Sequence, residues 1–359
     1  LDKLPGTQQK ILTLMRDFEV NQAIYIALKN RRQELSVVKA GTVGNVRVLD
    51  RAQMLPKPVS PKKGMIFFLY FMVGSLISVM LVFLKSAIKP GVSDPRVFDE
   101  LGLPVHAIIP LSDVEVKLSK DRLIRGQGFD NGDEFILASL YPADITIEAL
   151  RNLRTALHFS MIEAFNNVVM FSSANPSAGK SFISTNLAVL MSGTVDKRVL
   201  LVDADMRRGC VHKRFGCSAD KGLSGVLMGE YTFEQSVHKY SSGLDVLFRG
   251  KNASNPAELL MGSNFSRLIE RLGEDYDLVI LDTPPVLAVT DPVIIGKHAG
   301  TCLLLARFEL CSPKQIINAF TRLNLGGVNV NGVVFNAVKR KTQRYYDYGY
   351  YSYDYNDKI

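Results

Sequence analysis

An apolar run, Val168-Val169-Met170-Phe171, leads into a short polar loop, Gly179-Lys180-Ser181 and then a helix-like run from Phe182 to Met191. This strand–loop–helix order constrains the fold more than any other stretch. Ala174-x4-Gly179-Lys180-Ser181 has the spacing of a phosphate-binding loop with alanine at its first glycine position. In such a loop successive backbone N–H groups curl around phosphate oxygens, and the following helix presents its positive end to them. Gly179 permits close backbone approach, Lys180 can reach the β and γ phosphates, and Ser181 can hold Mg²⁺. A chance Gly-Lys-Ser is the competing reading, and the flanking strand and helix speak against it.

Two later strand candidates end in carboxylates. Val199-Leu-Leu-Val-Asp203-Ala-Asp205-Met-Arg207 follows the loop, and Leu278-Val-Ile-Leu-Asp282-Thr-Pro-Pro285 has the Walker B form. Strand C-termini converge on the ligand crevice of a parallel sheet. Asp203 and Asp282 suit Mg²⁺, held directly or through water. Asp205 can accept a hydroxyl proton, and Arg207 can pair with phosphate or with Asp205. A plain helix-capping role is the alternative for each aspartate. With Leu244–Phe248, Thr301–Ala306 and Gly332–Asn336 as further strands between helical stretches, the expected fold is α/β. It is a P-loop NTPase-like parallel sheet with helices on both faces.

The first part of the chain reads differently. Residues 7–36 have helical periodicity, with Ile11, Leu14, Phe18, Tyr25, Leu28 and Leu35 on heptad positions and Asn21 and Arg32 interrupting them. A coiled coil and a plain amphipathic helix both fit. Val46–Leu49 is a short strand candidate. Pro56, Pro58 and Pro61 then preclude a continued helix. Gly64 to Leu84 contains no charged residue and is long enough to span a bilayer as a helix. Lysines and arginines lie on both sides of it, so charge alone does not orient it. The phosphate loop does, because its nucleotide is cytoplasmic, which makes 1–63 the end of an extracytoplasmic region. Residues 85–142 read as a juxtamembrane linker, with short elements at Asp94–Leu101 and Val105–Ile109 and a loose stretch at Asp121–Asp133. Residues 143–338 read as the nucleotide-binding domain. Within it, Asp144–Glu163 is a predicted helix carrying Glu148, Arg151 and Arg154 on one side. A solvated surface is the alternative for those three charges.

The net charge of +8 would suit nucleic acid, but lipid headgroups and nucleotide explain it more simply beside a membrane span, so no nucleic-acid partner is expected. Cys210, Cys217, Cys302 and Cys311 lack metal-type spacing and read as reduced thiols of a cytosolic domain. A chain beginning at Leu1, with no signal peptide, reads as a piece of a longer protein. Residues 339–359 form a tail in which Tyr345, Tyr346, Tyr348, Tyr350, Tyr351, Tyr353 and Tyr355 crowd behind Lys339, Arg340, Lys341 and Arg344. The stretch of tyrosines holds no aliphatic residue and cannot build a core of its own.

Taken in order, these motifs resemble those of the bacterial tyrosine autokinases, and nearly the whole chain resembles the C-terminal half of a Wzc-type polysaccharide co-polymerase. Ser173-x2-Pro176-x2-Gly179-Lys180-Ser181 resembles the Walker A motif of that family, Asp203-x-Asp205-x-Arg207 its Walker A′ and Asp282-x2-Pro285 its Walker B. The resemblance implies ATP as cofactor with Mg²⁺, a nucleotide site of Ser173, Pro176, Ser177, Ala178, Gly179, Lys180 and Ser181, and an adenine-side Asn336. It also implies Ser181, Asp203 and Asp282 as metal ligands, with Lys180, Asp203, Asp205, Arg207 and Asp282 as the catalytic set. Glu148-x2-Arg151-x2-Arg154 resembles the oligomerisation motif of the family, and Pro56, Pro58, Ser60, Pro61 and Lys62, with Gly74, its proline-rich segment at the second membrane helix. The tail tyrosines resemble its phosphoacceptors. Two departures stand out. Asn175 replaces the signature lysine of partitioning-type ATPases, and Ser78 stands where some co-polymerases carry a second small glycine.

The expected activity is therefore that of an inner-membrane protein-tyrosine autokinase that phosphorylates its own tail and controls capsule or exopolysaccharide assembly. The resemblance implies a ring-shaped homo-oligomer, an outer-membrane polysaccharide exporter and a low-molecular-weight tyrosine phosphatase as partners. Two other classes remain open: a membrane-tethered ATPase without protein substrate, and a nucleotide-gated scaffold.

Overall fold

The computed structural model describes residues 6–41, 50, 61–88, 91–118, 135–194 and 197–339. The strand candidate at Val46–Leu49, most of the proline-rich segment, the stretch Asp121–Asp133 and the tyrosine tail lie outside these residues. The chain divides into two units, Leu1–Ile77 and Ser78–Ile359.

The first unit holds a helix, Gly6–Gly41, somewhat longer than its periodicity predicts, with every residue exposed in the single chain. The heptad residues Ile11, Leu14, Phe18, Tyr25, Leu28 and Leu35 are all among the exposed apolar side chains. A second helix, Lys63–Ile88, starts in this unit; its Lys63–Leu84 part is long and apolar enough to cross a membrane.

The second unit is an α/β domain around one eight-stranded sheet. In chain order its strands are β1 (Val105–Pro110), β2 (Val168–Ser173), β3 (Val199–Asp203), β4 (Val237–Ser241), β5 (Leu244–Leu247), β6 (Leu278–Asp282), β7 (Thr301–Arg307) and β8 (Val330–Val338). They lie side by side as β1-β8-β7-β2-β6-β3-β5-β4. Every pairing is parallel except β4 with β5.

Strand periodicity explains the layers. Successive side chains face opposite sides of a sheet, so a strand covered on both faces must be apolar throughout. Val168 and Met170 join one core cluster while Val169 and Phe171 join the other; Leu200 and Val202 are likewise separated from Val199 and Leu201. The first cluster is closed by the helices Ser263–Asp275 and Pro313–Leu325, through Phe265, Leu268, Leu272, Ile316, Ala319 and Leu323. The second is closed by Ile145–Ile162 and Lys180–Ser192, through Ile147, Leu150, Leu153, Ile183 and Leu187.

The sheet is thus mixed rather than wholly parallel. Sequence pattern does not single out β4, because Val-His-Lys-Tyr-Ser is half exposed at a sheet edge and lacks the continuous apolar run of the buried strands. Lysine at such an edge discourages further strand pairing. Val105–Ile109, expected as a short strand in the linker, lies in β1, which forms the opposite edge of the sheet and pairs with β8. The helix Ile145–Ile162 starts where Asp144 accepts the backbone N–H of Thr146 at 2.8 Å.

Candidate active site

The strand order puts β6 between β2 and β3, so the phosphate loop, Asp282 and Asp203 meet at the carboxyl-terminal ends of three adjacent parallel strands. Asp203 and Asp282 are direct register partners. The loop after Ser173 turns through Ser177 and Gly179, both at positive φ, and Gly179 caps the helix that Lys180 begins. Gly179 sits at a φ of 95°, a left-handed conformation that favours glycine, and a Cβ there would also lie 2.2 Å from Asn336 Nδ2.

Asn336 stands at the loop itself. Its Nδ2 donates to Ala178 O at 2.9 Å and its Oδ1 accepts the N–H of Ala337 at 2.8 Å, so here it braces the phosphate loop. Arg307 at the end of β7 donates to Ser177 O at 2.8 Å. Asn175 Nδ2 donates to Gln315 Oε1 at 2.9 Å, and Ser173 Oγ to Asn175 O at 2.7 Å. Sequence reading missed Arg307 and Gln315. A charge ending an apolar strand at the ligand edge was the available signal for Arg307; none marked Gln315.

Lys180 is buried, with Nζ 3.4 Å from Ser173 Oγ. Ser181 Oγ donates to Asp282 Oδ2, while Asp282 Oδ1 is buried without a hydrogen-bond partner among the described residues. Asp203 accepts the N–H of Asp205 (3.3 Å) on Oδ1 and that of Val211 (3.1 Å) on Oδ2. A Cβ at Gly209 would sit 2.3 Å from Asp203 Oδ1, so glycine is required there as well. Burial, then the neighbouring Asp282 charge, holds the Asp203 carboxyl well above the usual carboxylate range. Burial likewise pushes Asp282 up to about 6, against the pull of Lys180. Two adjoining buried carboxylates, an orphaned oxygen and a serine hydroxyl form the all-oxygen donor set that suits a hard cation shared with phosphate.

Asp205 commits Oδ1 to the backbone N–H groups of Arg207 (3.2 Å) and Arg208 (2.9 Å). Arg207, expected on phosphate or on Asp205, instead grips Asp291 with two bonds, Nε to Oδ2 at 2.8 Å and Nη2 to Oδ1 at 3.1 Å. Asp291 was not foreseen. On their helix Glu148 pairs with Arg151, which also donates to Pro142 O at 3.1 Å; Arg154 is half-buried on the same helix. All four cysteines are free thiols.

Two family models match: the G-rich domain found on tyrosine kinases over residues 6–87, and an AAA domain over 167–298. The tyrosine-protein kinase wzc of Salmonella typhimurium is 40% identical over 353 residues, 98% of this chain and 49% of that protein. The solved BceF tyrosine kinase domain is 40% identical, with a TM-score of 0.64, covering 69% of this chain and 99% of the other. The chain belongs to the bacterial tyrosine autokinase family. A second family structure, the kinase domain of the Escherichia coli tyrosine kinase ETK, is 39% identical with a TM-score of 0.62, covering 72% of this chain and all of the other. The chain spans about half the length of the curated relatives it matches. The AAA match encloses the phosphate loop and both carboxylate strands.

Proposed function

We propose that this chain is the C-terminal part of an inner-membrane protein-tyrosine autokinase, with its kinase domain cytoplasmic and residues 1–63 periplasmic. It transfers the γ-phosphoryl group of ATP to Tyr345, Tyr346, Tyr348, Tyr350, Tyr351, Tyr353 and Tyr355 of a neighbouring copy, and so regulates capsule or exopolysaccharide export. The observation carrying this reading is the juxtaposition of Lys180, Ser181, Asp203 and Asp282 at the carboxyl-terminal ends of β2, β6 and β3, with Asp205 two residues beyond Asp203.

Phosphoryl transfer demands positioning and charge stabilisation more than covalent help. The loop N–H groups and Lys180 hold the β and γ phosphates. Ser181, Asp203 and Asp282 would hold Mg²⁺, which when bound neutralises phosphate charge. The tyrosine oxygen forms the new bond to the γ phosphorus, the bond to the β–γ bridging oxygen breaks, ADP departs, and Asp205 takes the hydroxyl proton. A low-molecular-weight phosphatase would reset the tail, and an outer-membrane exporter would receive the polymer. Incubating the chain with Mg-ATP should place phosphate on residues 345–355 by mass spectrometry. Hydrolysis of ATP with no phosphotyrosine would support a tethered ATPase instead.

Transfer between copies needs an assembly. Glu148, Arg151 and Arg154 share a helix surface, where charge-assisted bonds to a second copy would fix both partner and orientation. Arg151→Ala/Arg154→Ala should convert ring-sized particles to monomers in light scattering and reduce tail phosphorylation. Unchanged particle size would exclude this surface.

A further inference from the structure

Asp291 is wholly buried, and both its oxygens are taken by the single guanidinium of Arg207. A buried carboxylate is retained only when paired and hydrogen-bonded, and a two-bond fork fixes direction as well as distance. Arg207 lies in the loop that follows β3, and Asp291 opens the helix Asp291–Gly296 to which the loop after β6 leads; β3 and β6 carry Asp203 and Asp282.

Each end of the pair is anchored to different machinery. The segment from Asp282 to Asp291 is tied to the phosphate-loop strand: Thr283 N to Phe171 O (3.2 Å), Val286 N to Ser173 O (2.8 Å) and Ser172 Oγ to Pro284 O (3.0 Å). Asp291 is therefore fixed relative to the phosphate cradle. On the other side, Asp205 receives the N–H groups of Arg207 and Arg208, and its carbonyl receives that of Gly209 at 2.7 Å. The turn at 205–209 behaves as one hydrogen-bonded unit, so whatever fixes Arg207 also fixes the Asp205 carboxylate.

We infer that Asp291 is a positioning residue for phosphoryl transfer: through its fork with Arg207 it sets the Asp205 turn at a defined place relative to the phosphate loop. The inference rests on the kinase reading above. Asp291 reaches the reaction only through Arg207 and bears on the acceptor side rather than on the nucleotide.

The test uses the full chain in detergent with four variants: Asp291→Asn, Arg207→Lys, Asp291→Asn/Arg207→Lys, and Asp291→Glu/Arg207→Lys, which lengthens the acid while shortening the base. Each is measured for Mg-ATP affinity, single-turnover tail phosphorylation at saturating Mg-ATP, and hydrogen exchange. Misplacing a catalytic group by about 1 Å can cost roughly a hundredfold in rate, the loss expected of Asp291→Asn. Mg-ATP affinity should hold. Asp291→Asn/Arg207→Lys should be no slower than the worse single variant, and Asp291→Glu/Arg207→Lys should recover part of the rate. Backbone exchange over 203–211 should quicken in Asp291→Asn while that over 171–181 does not. Additive losses, a parallel loss of nucleotide affinity, or unchanged exchange over 203–211 would overturn the inference. A wild-type chain that forms no phosphotyrosine refutes the kinase reading instead, and the exchange measurement then decides the positioning role by itself.

Discussion

Lys180→Met should abolish tail phosphorylation while leaving the domain folded. The ammonium is buried at the start of its helix beside Ser173, and its charge acts on Asp282. In that water-poor setting a single cation aimed at developing phosphate charge is worth far more than at a surface. Losing one preorganised stabilising group of this kind typically costs about 10²–10³ in rate. Methionine keeps an unbranched chain of comparable length, so packing against the loop is retained and only the charge goes. Phosphotyrosine formation and thermal unfolding should be followed on the same preparations. Wild-type phosphorylation levels in Lys180→Met would refute the assignment of this loop, whereas a collapsed unfolding transition would show that the buried charge supports the fold.

Much of this site is legible in sequence because its parts are local. The apolar runs ending at Ser173, Asp203 and Asp282 each announce a buried strand and the residue at its ligand edge. What is not legible depends on strand order. Arg207 meets Asp291 across 84 residues only because β3 lies beside β6. Asn336 reaches Ala178 across 158 residues, although β8 is two strands away from β2. No periodicity encodes those meetings. β4 is hidden for a different reason: an edge strand exposed to water needs no apolar signature. The long helix Gly6–Gly41 is readable as a helix, yet its exposed apolar residues do not by themselves state what they pack against.

Asp282→Asn should make the nucleotide-free domain more stable at neutral pH while removing its response to Mg²⁺. Burial raises the Asp282 carboxyl from 3.8 to about 6, so the fold holds this proton more tightly than the unfolded chain does. Below about pH 4 both states are protonated and the residue is neutral with respect to folding. Between about pH 4 and 6 the unfolded chain loses the proton first, so stability falls as pH rises; above about 6 the penalty is complete. Two pKa units correspond to a penalty on the order of 2–3 kcal/mol. Asparagine removes the charge yet still offers Ser181 an acceptor, and its amide can donate toward Asp203, the register neighbour on β3. For a domain of this size each kcal/mol moves the melting temperature by roughly 2–4 °C. Asp282→Asn should therefore melt several degrees above wild type at pH 7.5, with the gap closing toward pH 4. Mg-ADP adds stability only in proportion to its binding, so it should raise the melting temperature of wild type and much less that of the variant. The two curves then cross as nucleotide and metal are added, and autophosphorylation is lost in the variant that began as the more stable protein. If Asp282→Asn melts below wild type at pH 7.5 without nucleotide, the buried Asp282 carboxylate carries no such penalty, and the case for a cation beside it loses its electrostatic basis.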